Sequence, residues 1–272
     1  MNFANLITLT TDFGLQDPYV GQMKGAILKR NVTARIIDLT HGIPPHDVLS
    51  AAITLRTSYS YFPDGSIHLV VVDPGVGSQR SILAAVGDGH LFIAPDNGTL
   101  TLLAADGKLQ EVHRVENRAL FPSEVSCTFH GRDIMAPVAA ALAAGMPLDK
   151  VGTAVDFGDC VRLDVPQPRI TEQGIEGQVL QVDRFGNIRT TITTAALSRF
   201  QPDSFNGIEI GRERINAIAT TYSQRPPGDL IAVIDSSGYL ELAVNKGSAA
   251  EVTGCRPGDP VTVHMKSRIE RG

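Results

Sequence analysis

Four side chains in the first half of the chain stand where polar chemistry is possible. Asp12 follows the apolar run Leu6-Ile7-Thr8-Leu9-Thr10, and Asp17 lies in the loop after it. Asp73 closes another apolar run, in Val71-Val72-Asp73-Pro74-Gly75-Val76-Gly77-Ser78-Gln79-Arg80. His130 sits in Thr128-Phe129-His130-Gly131-Arg132-Asp133, just ahead of an Ala-rich stretch. Carboxylates and imidazoles accept protons, bind hydroxyls and ligate cations. Each also has a structural reading. An Asp after a strand is often a turn former or an N-cap. Asp133 reads as a helix-start carboxylate with Arg132 as its local partner. The grouping at several strand ends favours a site, because ligands in open α/β sheets bind beyond the carboxyl ends of the strands.

Two other chemistries fit less well. The Asp73 segment lacks GxxxxGK[ST] and the spacing of GxGxxG, so its glycines serve a tight turn beside a ligand better than a phosphate cradle. Asp12, Asp73 and His130 could ligate a divalent ion, but no HxxxH or HExxH spacing accompanies them. In the second half, Val182-Asp183-Arg184-Phe185-Gly186-Asn187 interrupts a strand pattern with a polar loop or hairpin turn. Ile234-Asp235-Ser236-Ser237-Gly238-Tyr239-Leu240 reads as a hairpin.

The elements that must position these residues follow from periodicity. Leu6–Thr10, Ala34–Leu39, Ser66–Val72, Ile82–Val86 and Leu91–Ala94 read as strands. Tyr19–Lys29 reads as a helix with Val20, Met23, Ile27 and Leu28 on one face. A second helix opens at His46-Asp47 and runs to about Tyr61, and a third spans about Ile134–Ala144. Continuous apolar strands suit a sheet covered on both faces. After the Val165-Pro166-Gln167-Pro168 linker the pattern changes to short alternating runs: Gly177–Val182, Ile188–Ile192, Gly207–Ile210, Glu213–Ile218, Leu230–Ile234, Leu240–Ala243 and Pro260–His264. Turn residues separate them, as in a small barrel or sandwich. The expected fold is therefore an α/β N-terminal domain over 1–162, with a mainly parallel sheet flanked by helices, and an all-β, barrel-like domain over 170–272.

Composition narrows the partners. The chain has 272 residues, 43% of them hydrophobic, enough for a substantial core. A net charge of −5 without a basic stripe speaks against nucleic acid. No apolar run approaches the ~18 residues of a membrane span, and the first 15 residues lack a signal-peptide pattern. The default location is the cytoplasm. Cys127, Cys160 and Cys255 are scattered and contain no CxxC pair, so neither a disulfide framework nor a zinc site is expected.

Taken in order, these segments resemble the S-adenosylmethionine hydroxide adenosyltransferase family, relatives of the fluorinase and chlorinase halogenases. The resemblance runs nearly end to end. It comprises Thr10-Thr11-Asp12-Phe13-Gly14 with Asp17, Asp73-Pro74-Gly75-Val76-Gly77 with Arg80, Ala94-Pro95-Asp96-Asn97-Gly98, and Phe129-His130-Gly131-Arg132-Asp133. Phe185-Gly186-Asn187 and Ser237-Gly238-Tyr239 with Val244-Asn245-Lys246-Gly247 complete it.

The resemblance implies hydrolysis of S-adenosyl-L-methionine to adenosine and L-methionine, with no separate cofactor. It further implies a homotrimer whose sites lie between one subunit's N-terminal domain and the next subunit's C-terminal domain. Asp73, Arg80 and His130 match the trio of the hydrolytic branch, which would orient a water and share its proton; the sequence leaves open whether Asp73 or His130 takes it. Asp12 would bind the ribose hydroxyls, and Asp17 and Asp183 the methionine ammonium. Asn187 would read the adenine edge, with Phe185 and Tyr222 packed on the ring; Lys246 lies in the matched substrate-binding segment. Halogenases carry an Arg that would fall near Ser237, so here Ser236 and Ser237 must manage the methionine carboxylate through hydroxyls and backbone N–H groups, or another residue must. The alternatives are a chlorinase-like halogenase, a non-catalytic binder of the same molecule, and a metal-dependent hydrolase built on Asp12, Asp73 and His130. A carboxylate facing the nucleophile position opposes a halide.

Overall fold

The computed structural model describes residues 4–266. The chain divides between Asp164 and Val165 into two units, each with its own apolar core. In the first, β1 (Leu6–Thr11) leads to α1 (Tyr19–Arg30), β2 (Arg35–Thr40), α2 (Val48–Ser58) and β3 (Ile67–Val71). Then come β4 (Ile82–Gly87), β5 (His90–Pro95), α3 (Thr101–Ala105), β6 (Glu111–Arg114) and α4 (Ala136–Ala143). Among the described residues the strands form one six-stranded sheet, ordered β2-β1-β3-β5-β4-β6.

The apolar run before Asp73 shows why both faces are covered. Leu69 and Val71 join Met23, Ile27 and the alanines of α4 in one core. Val70 and Val72 point the other way, into a core with Ala51, Leu55 and Phe92. Alternation along the strand thus buries every residue of the run. Asp47 caps α2, its carboxylate accepting from the backbone N–H of Ser50 at 2.9 Å.

The sheet is mixed, which corrects the expectation of a mainly parallel one. β1 pairs in parallel with β2 and β3, and β3 with β5, but β4 runs antiparallel to both β5 and β6. The cause is the Asp88-Gly89 turn. Both residues have positive φ, 49° and 82°, the geometry of a two-residue type I′ hairpin. A tight hairpin therefore joins β4 to β5 and sets the two strands antiparallel. The third helix also begins differently: Gly131–Met135 forms a π-helical turn, and α4 continues from it with Pro137 in its first turn.

The second unit holds β7 (Arg169–Thr171), β8 (Gly174–Val182), β9 (Ile188–Thr193), α5 (Thr194–Leu197), β10 (Phe205–Ile210) and β11 (Glu213–Ile215). It continues through β12 (Ile218–Ala219), β13 (Leu230–Ile234), β14 (Tyr239–Val244), α6 (Ala249–Thr253) and β15 (Pro260–Met265). The sheet runs β11-β10-β15-β8-β9-β14-β13-β12, with β7 beside β8. β8 pairs with β15 through its first half and with β9 through its second. That bend wraps the sheet, nearly barrel-shaped, around Ile175, Ile188, Leu240, Leu242, Val261 and Val263. Asn216-Ala217 splits the strand expected over Glu213–Ile218. Among the described residues no helix is long and apolar enough to cross a membrane.

One polar pair lies deep in the first unit. His68 on β3 bonds Thr8 Oγ1 through Nδ1 at 2.9 Å, and its Nε2 lies 3.2 Å from His90 Nδ1 on β5. The rings of Tyr59 and Phe92 pack around them. Burial pushes the His68 pKa down from 6.5 to about 3, and it lowers that of His90 too. Both stay neutral in the folded chain, whereas an unfolded chain takes up protons below its ordinary histidine pKa. Stability is therefore complete above about pH 6.5 and is lost as pH falls toward about 3, at no more than ~1.4 kcal/mol per pH unit for one site. We predict a shallower loss of urea midpoint between pH 6.5 and 4 for His68→Phe than for the wild type; parallel curves would remove His68 from the acid response.

Candidate active site

β1 and β3 are parallel neighbours whose onward connections leave in opposite directions, β1 toward β2 and β3 toward β4 and β5. Such a reversal opens a crevice beyond the strand ends. Asp12 directly follows β1, and Asp73 stands just past the end of β3. A cavity of about 290 Å³ lies there, lined by Asp12, Asp73 and His130 together with Phe13, Tyr19 and His46.

Arg80 joins the acid to the imidazole. Its Nε donates to both Asp73 oxygens at 2.8 Å, and its Nη2 bonds Asp73 Oδ2. The same Nη2 lies 2.9 Å from His130 Nδ1. The Arg80 and Asp73 side chains are only 9% and 5% exposed. A guanidinium has donors and no acceptor, so Nδ1 must accept and the neutral ring carries its proton on Nε2. Burial first, and then the Arg80 charge, lower the His130 pKa below its ordinary value, more than Asp73 and Asp133 raise it. His130 therefore stays neutral at neutral pH.

Local structure fixes each partner. Asn97, in the loop after β5, donates from Nδ2 to the Val72 carbonyl at 2.9 Å, holding the backbone next to Asp73. Gly77 has φ 80°, and a Cβ there would collide with the Cys127 carbonyl, so the Asp73–Arg80 loop lies directly on the segment that leads to His130. On the far side of His130, a Cβ on Gly131 would come within 2.9 Å of Val71 Cγ1. Only glycine lets the π turn seat on the end of β3. Asp133 has the structural role its position suggested. It takes Arg132 Nε at 2.6 Å and Nη2 at 2.9 Å, and the Ser126 N–H at 2.8 Å.

Asp12 is oriented by a residue the sequence did not single out for the cavity. The backbone N–H of His46 donates to Asp12 Oδ2 at 2.9 Å, from a left-handed conformation at φ 68°. Behind it, Thr11 Oγ1 bonds His41 Nδ1 at 2.9 Å and receives the Phe13 N–H at 3.2 Å. Phe13, Tyr19 and Phe129 form a mutual ring cluster, with centroids 5.5–5.7 Å apart. They are an apolar wall that sequence reading left without a role. Phe13 and Phe129 each adjoin a motif acid or histidine, which was the available signal.

The second unit carries its own cavity of about 500 Å³. Its lining includes Asp183, Phe185, Asn187, Tyr222 and Lys246, brought together from three separate loops. Asp183 organises its turn: Oδ1 accepts the N–H groups of Phe185 at 2.8 Å and Asn187 at 2.9 Å, and Oδ2 takes Asn187 Nδ2 at 3.1 Å. The Tyr222 hydroxyl donates to Glu241 at 2.7 Å. Asp17 and Ser236 are exposed and line neither cavity. Near Ser236, Asp235 is occupied by the N–H groups of Ser237 and Tyr239 and by Arg189 Nε. Among the described residues no three His, Cys, Asp or Glu side chains group as a metal site.

Two family profiles match the chain. That of the SAM hydroxide adenosyltransferase N-terminal domain covers residues 7–152, and that of the C-terminal domain covers 177–262. The chain is 41% identical to a protein of Salinispora tropica named (R)-S-adenosyl-L-methionine hydrolase, over 94% of this chain and 97% of that one. A protein of Thermus thermophilus with the same name is 39% identical, over 92% and 96%. A fluorinase of an Actinoplanes species is similar at 28% identity, over 95% and 97%. The solved structure of a conserved Thermotoga maritima protein superposes with a TM-score of 0.88 at 37% identity, covering 95% of this chain and 99% of that one.

The close seat of Gly131 on Val71 yields a test. Gly131→Ala should push the π turn off the strand, cost about 1–3 kcal/mol of stability and lower any activity that needs His130 beside Arg80 by at least about tenfold. Thermal denaturation and a turnover assay together check this; an alanine variant with wild-type stability and turnover would show that the close approach is not required.

Proposed function

Because the chain belongs to the SAM hydroxide adenosyltransferase family, we propose that it hydrolyses S-adenosyl-L-methionine to adenosine and L-methionine. The observation that carries this reading is the guanidinium bridge, with Arg80 bonded at once to Asp73 and His130 at the cavity wall. The sulfonium is already a good leaving group, so the difficulty lies with the nucleophile. A water held in line with the C5′–S bond attacks C5′; the bond to sulfur breaks, and methionine departs as a neutral thioether. Holding the reactants at attack distance supplies several kcal/mol, up to ~7–11.

The hydrogen-bond pattern supports distinct roles for the trio. His130 presents Nε2–H, a donor that orients the water oxygen. Asp73 keeps acceptor capacity on its carboxylate and takes the water's proton. Arg80 fixes both and favours hydroxide character by its charge. Asp12 accepts from the ribose hydroxyls. A halogenase is the second reading, favoured only by the fluorinase relatives; the carboxylate at the nucleophile position opposes it.

A cavity of about 290 Å³ is at the small end of the ~300–1,000 Å³ range for ligand sites, and Asp183, Phe185, Asn187, Tyr222 and Lys246 line a different one. We therefore propose that a neighbouring copy in a homotrimer supplies Asp183, Phe185, Asn187, Tyr222 and Lys246 to the site built around Asp73, with Asn187 at the adenine edge. Asp17, Asp183 and Ser236 would hold the methionine end.

Four outcomes are expected. Incubation with S-adenosyl-L-methionine in labelled water yields adenosine carrying the label at its 5′ oxygen, and added chloride gives no 5′-halo product; a halo product would overturn the hydrolytic reading. Asp73→Asn lowers kcat by ~10²–10⁴-fold with KM within a few-fold. Since His130 titrates below its ordinary pKa, kcat shows no histidine limb near pH 6.5, whereas a limb there that vanished in His130→Gln would make His130 the base. Finally, co-expressed Asp73→Asn and Asp183→Ala chains, each inactive alone, regain about a quarter of wild-type activity by random assembly; no recovery would mean that each chain builds its own site.

A further inference from the structure

The loop between β12 and β13 contributes Tyr222 to the lining of the second-unit cavity, yet all of residues 220–229 are exposed and none belongs to the apolar clusters of the unit. Polar ties hold it instead. At one end Asn245 donates from Nδ2 to the Arg225 carbonyl at 2.6 Å and accepts the Gly228 N–H on its own carbonyl at 2.8 Å. At the other end the tie is the Tyr222 hydroxyl on Glu241 Oε1 at 2.7 Å.

Glu241 is an unusual residue to find on β14. It is 7% exposed, flanked along its strand by Leu240 and Leu242 of the apolar core and paired across strands with Val233 and Arg189. Burial pushes its carboxyl up, and the charges of Asp235 and Asp183 add to this; the Tyr222 bond and Arg189 act the other way. Leu240 and Leu242 point to the opposite face of the strand, and a carboxyl buried beside Val233 and Arg189 is costly unless it is paired or hydrogen-bonded. The Tyr222 hydroxyl is pushed up to about 12, first by Glu241 and then by burial, so it remains a donor at physiological pH.

We propose that Glu241 is a positioning residue for the nucleobase end of the substrate, holding the Tyr222 ring, and with it the 220–229 loop, against the cavity. The inference rests on the reading that this cavity receives the adenosine portion. It also assigns Tyr222 a specificity role. With its hydroxyl committed to Glu241, Tyr222 offers the base only a ring face, which recognises a flat aromatic system, and hydrogen-bond reading of the base edge falls to Asn187.

The test compares Glu241→Ala, Glu241→Gln and Tyr222→Phe in the full chain, by steady-state kinetics and by calorimetric titration with adenosine. Glu241→Ala should raise KM about tenfold, with a much smaller change in kcat. Glu241→Gln, which keeps an acceptor oxygen, should restore KM, and the effects of Glu241→Ala and Tyr222→Phe should not add in the double variant. Unchanged KM in Glu241→Ala, or equal damage from Ala and Gln, overturns the proposal. Should the alanine variant not fold, Tyr222→Phe decides: it keeps the ring and loses the tie, so wild-type adenosine affinity there also overturns it. A wild-type protein that binds adenosine with this dependence but cleaves nothing would sink the hydrolytic reading and leave the tie standing.

Discussion

The geometry of the first unit hangs on one guanidinium. Arg80 uses a single planar fork to hold a carboxylate and an imidazole at once, and both the acid and the guanidinium are nearly closed off from solvent. A buried charge is tolerated when it is paired and hydrogen-bonded, and here each partner is the reason the other can be buried. The fork also dictates the imidazole's tautomer, a property no residue list contains. Lysine could supply the charge but neither the two-directional reach nor the fixed plane.

Around that bridge the fold acts as a set of spacers. The reversal between β1 and β3 places two acids side by side although a long stretch of sequence separates them. Asn97 grips the backbone beside one of them, and the His46 N–H grips the carboxylate of the other. The π turn brings His130 over the strand end, where the missing Cβ of Gly131 allows the approach. In the second unit the same task falls to loops, and Asp183 keeps its turn folded by accepting two backbone N–H groups.

How much of this was legible in the sequence depended on how local the cause was. The apolar runs that became β1, β3, β4 and β5 announced themselves, because burial on both faces demands uninterrupted hydrophobicity. Strand direction did not. Asp88-Gly89 carries the composition of a tight hairpin, but its flanking strands lack the alternation that would have drawn attention to it. Asp12, Asp73 and His130 were legible as candidates from their places after strands and before a helix. His46 was not, since its contribution is a backbone N–H in a left-handed conformation, independent of side-chain type. Asp17 was legible as a loop acid after the first strand, but its role and that of Ser236 came from the resemblance alone, and both are exposed outside the cavities. The Tyr222–Glu241 bond joins a loop to a core strand, a pairing that no periodicity encodes.

The pairing of Asp73 with Arg80 has a consequence for how such a scaffold diverges. Together the two side chains leave the wall formally balanced, so a neutral guest meets no excess field there. Delete the acid and keep the base, and the balance tips to one uncompensated positive charge in a poorly hydrated recess. Water then loses its advantage over any small anion that fits. The choice between neutral and anionic guests is thus a matter of charge parity at one position, and a lineage could cross between them without rebuilding a strand.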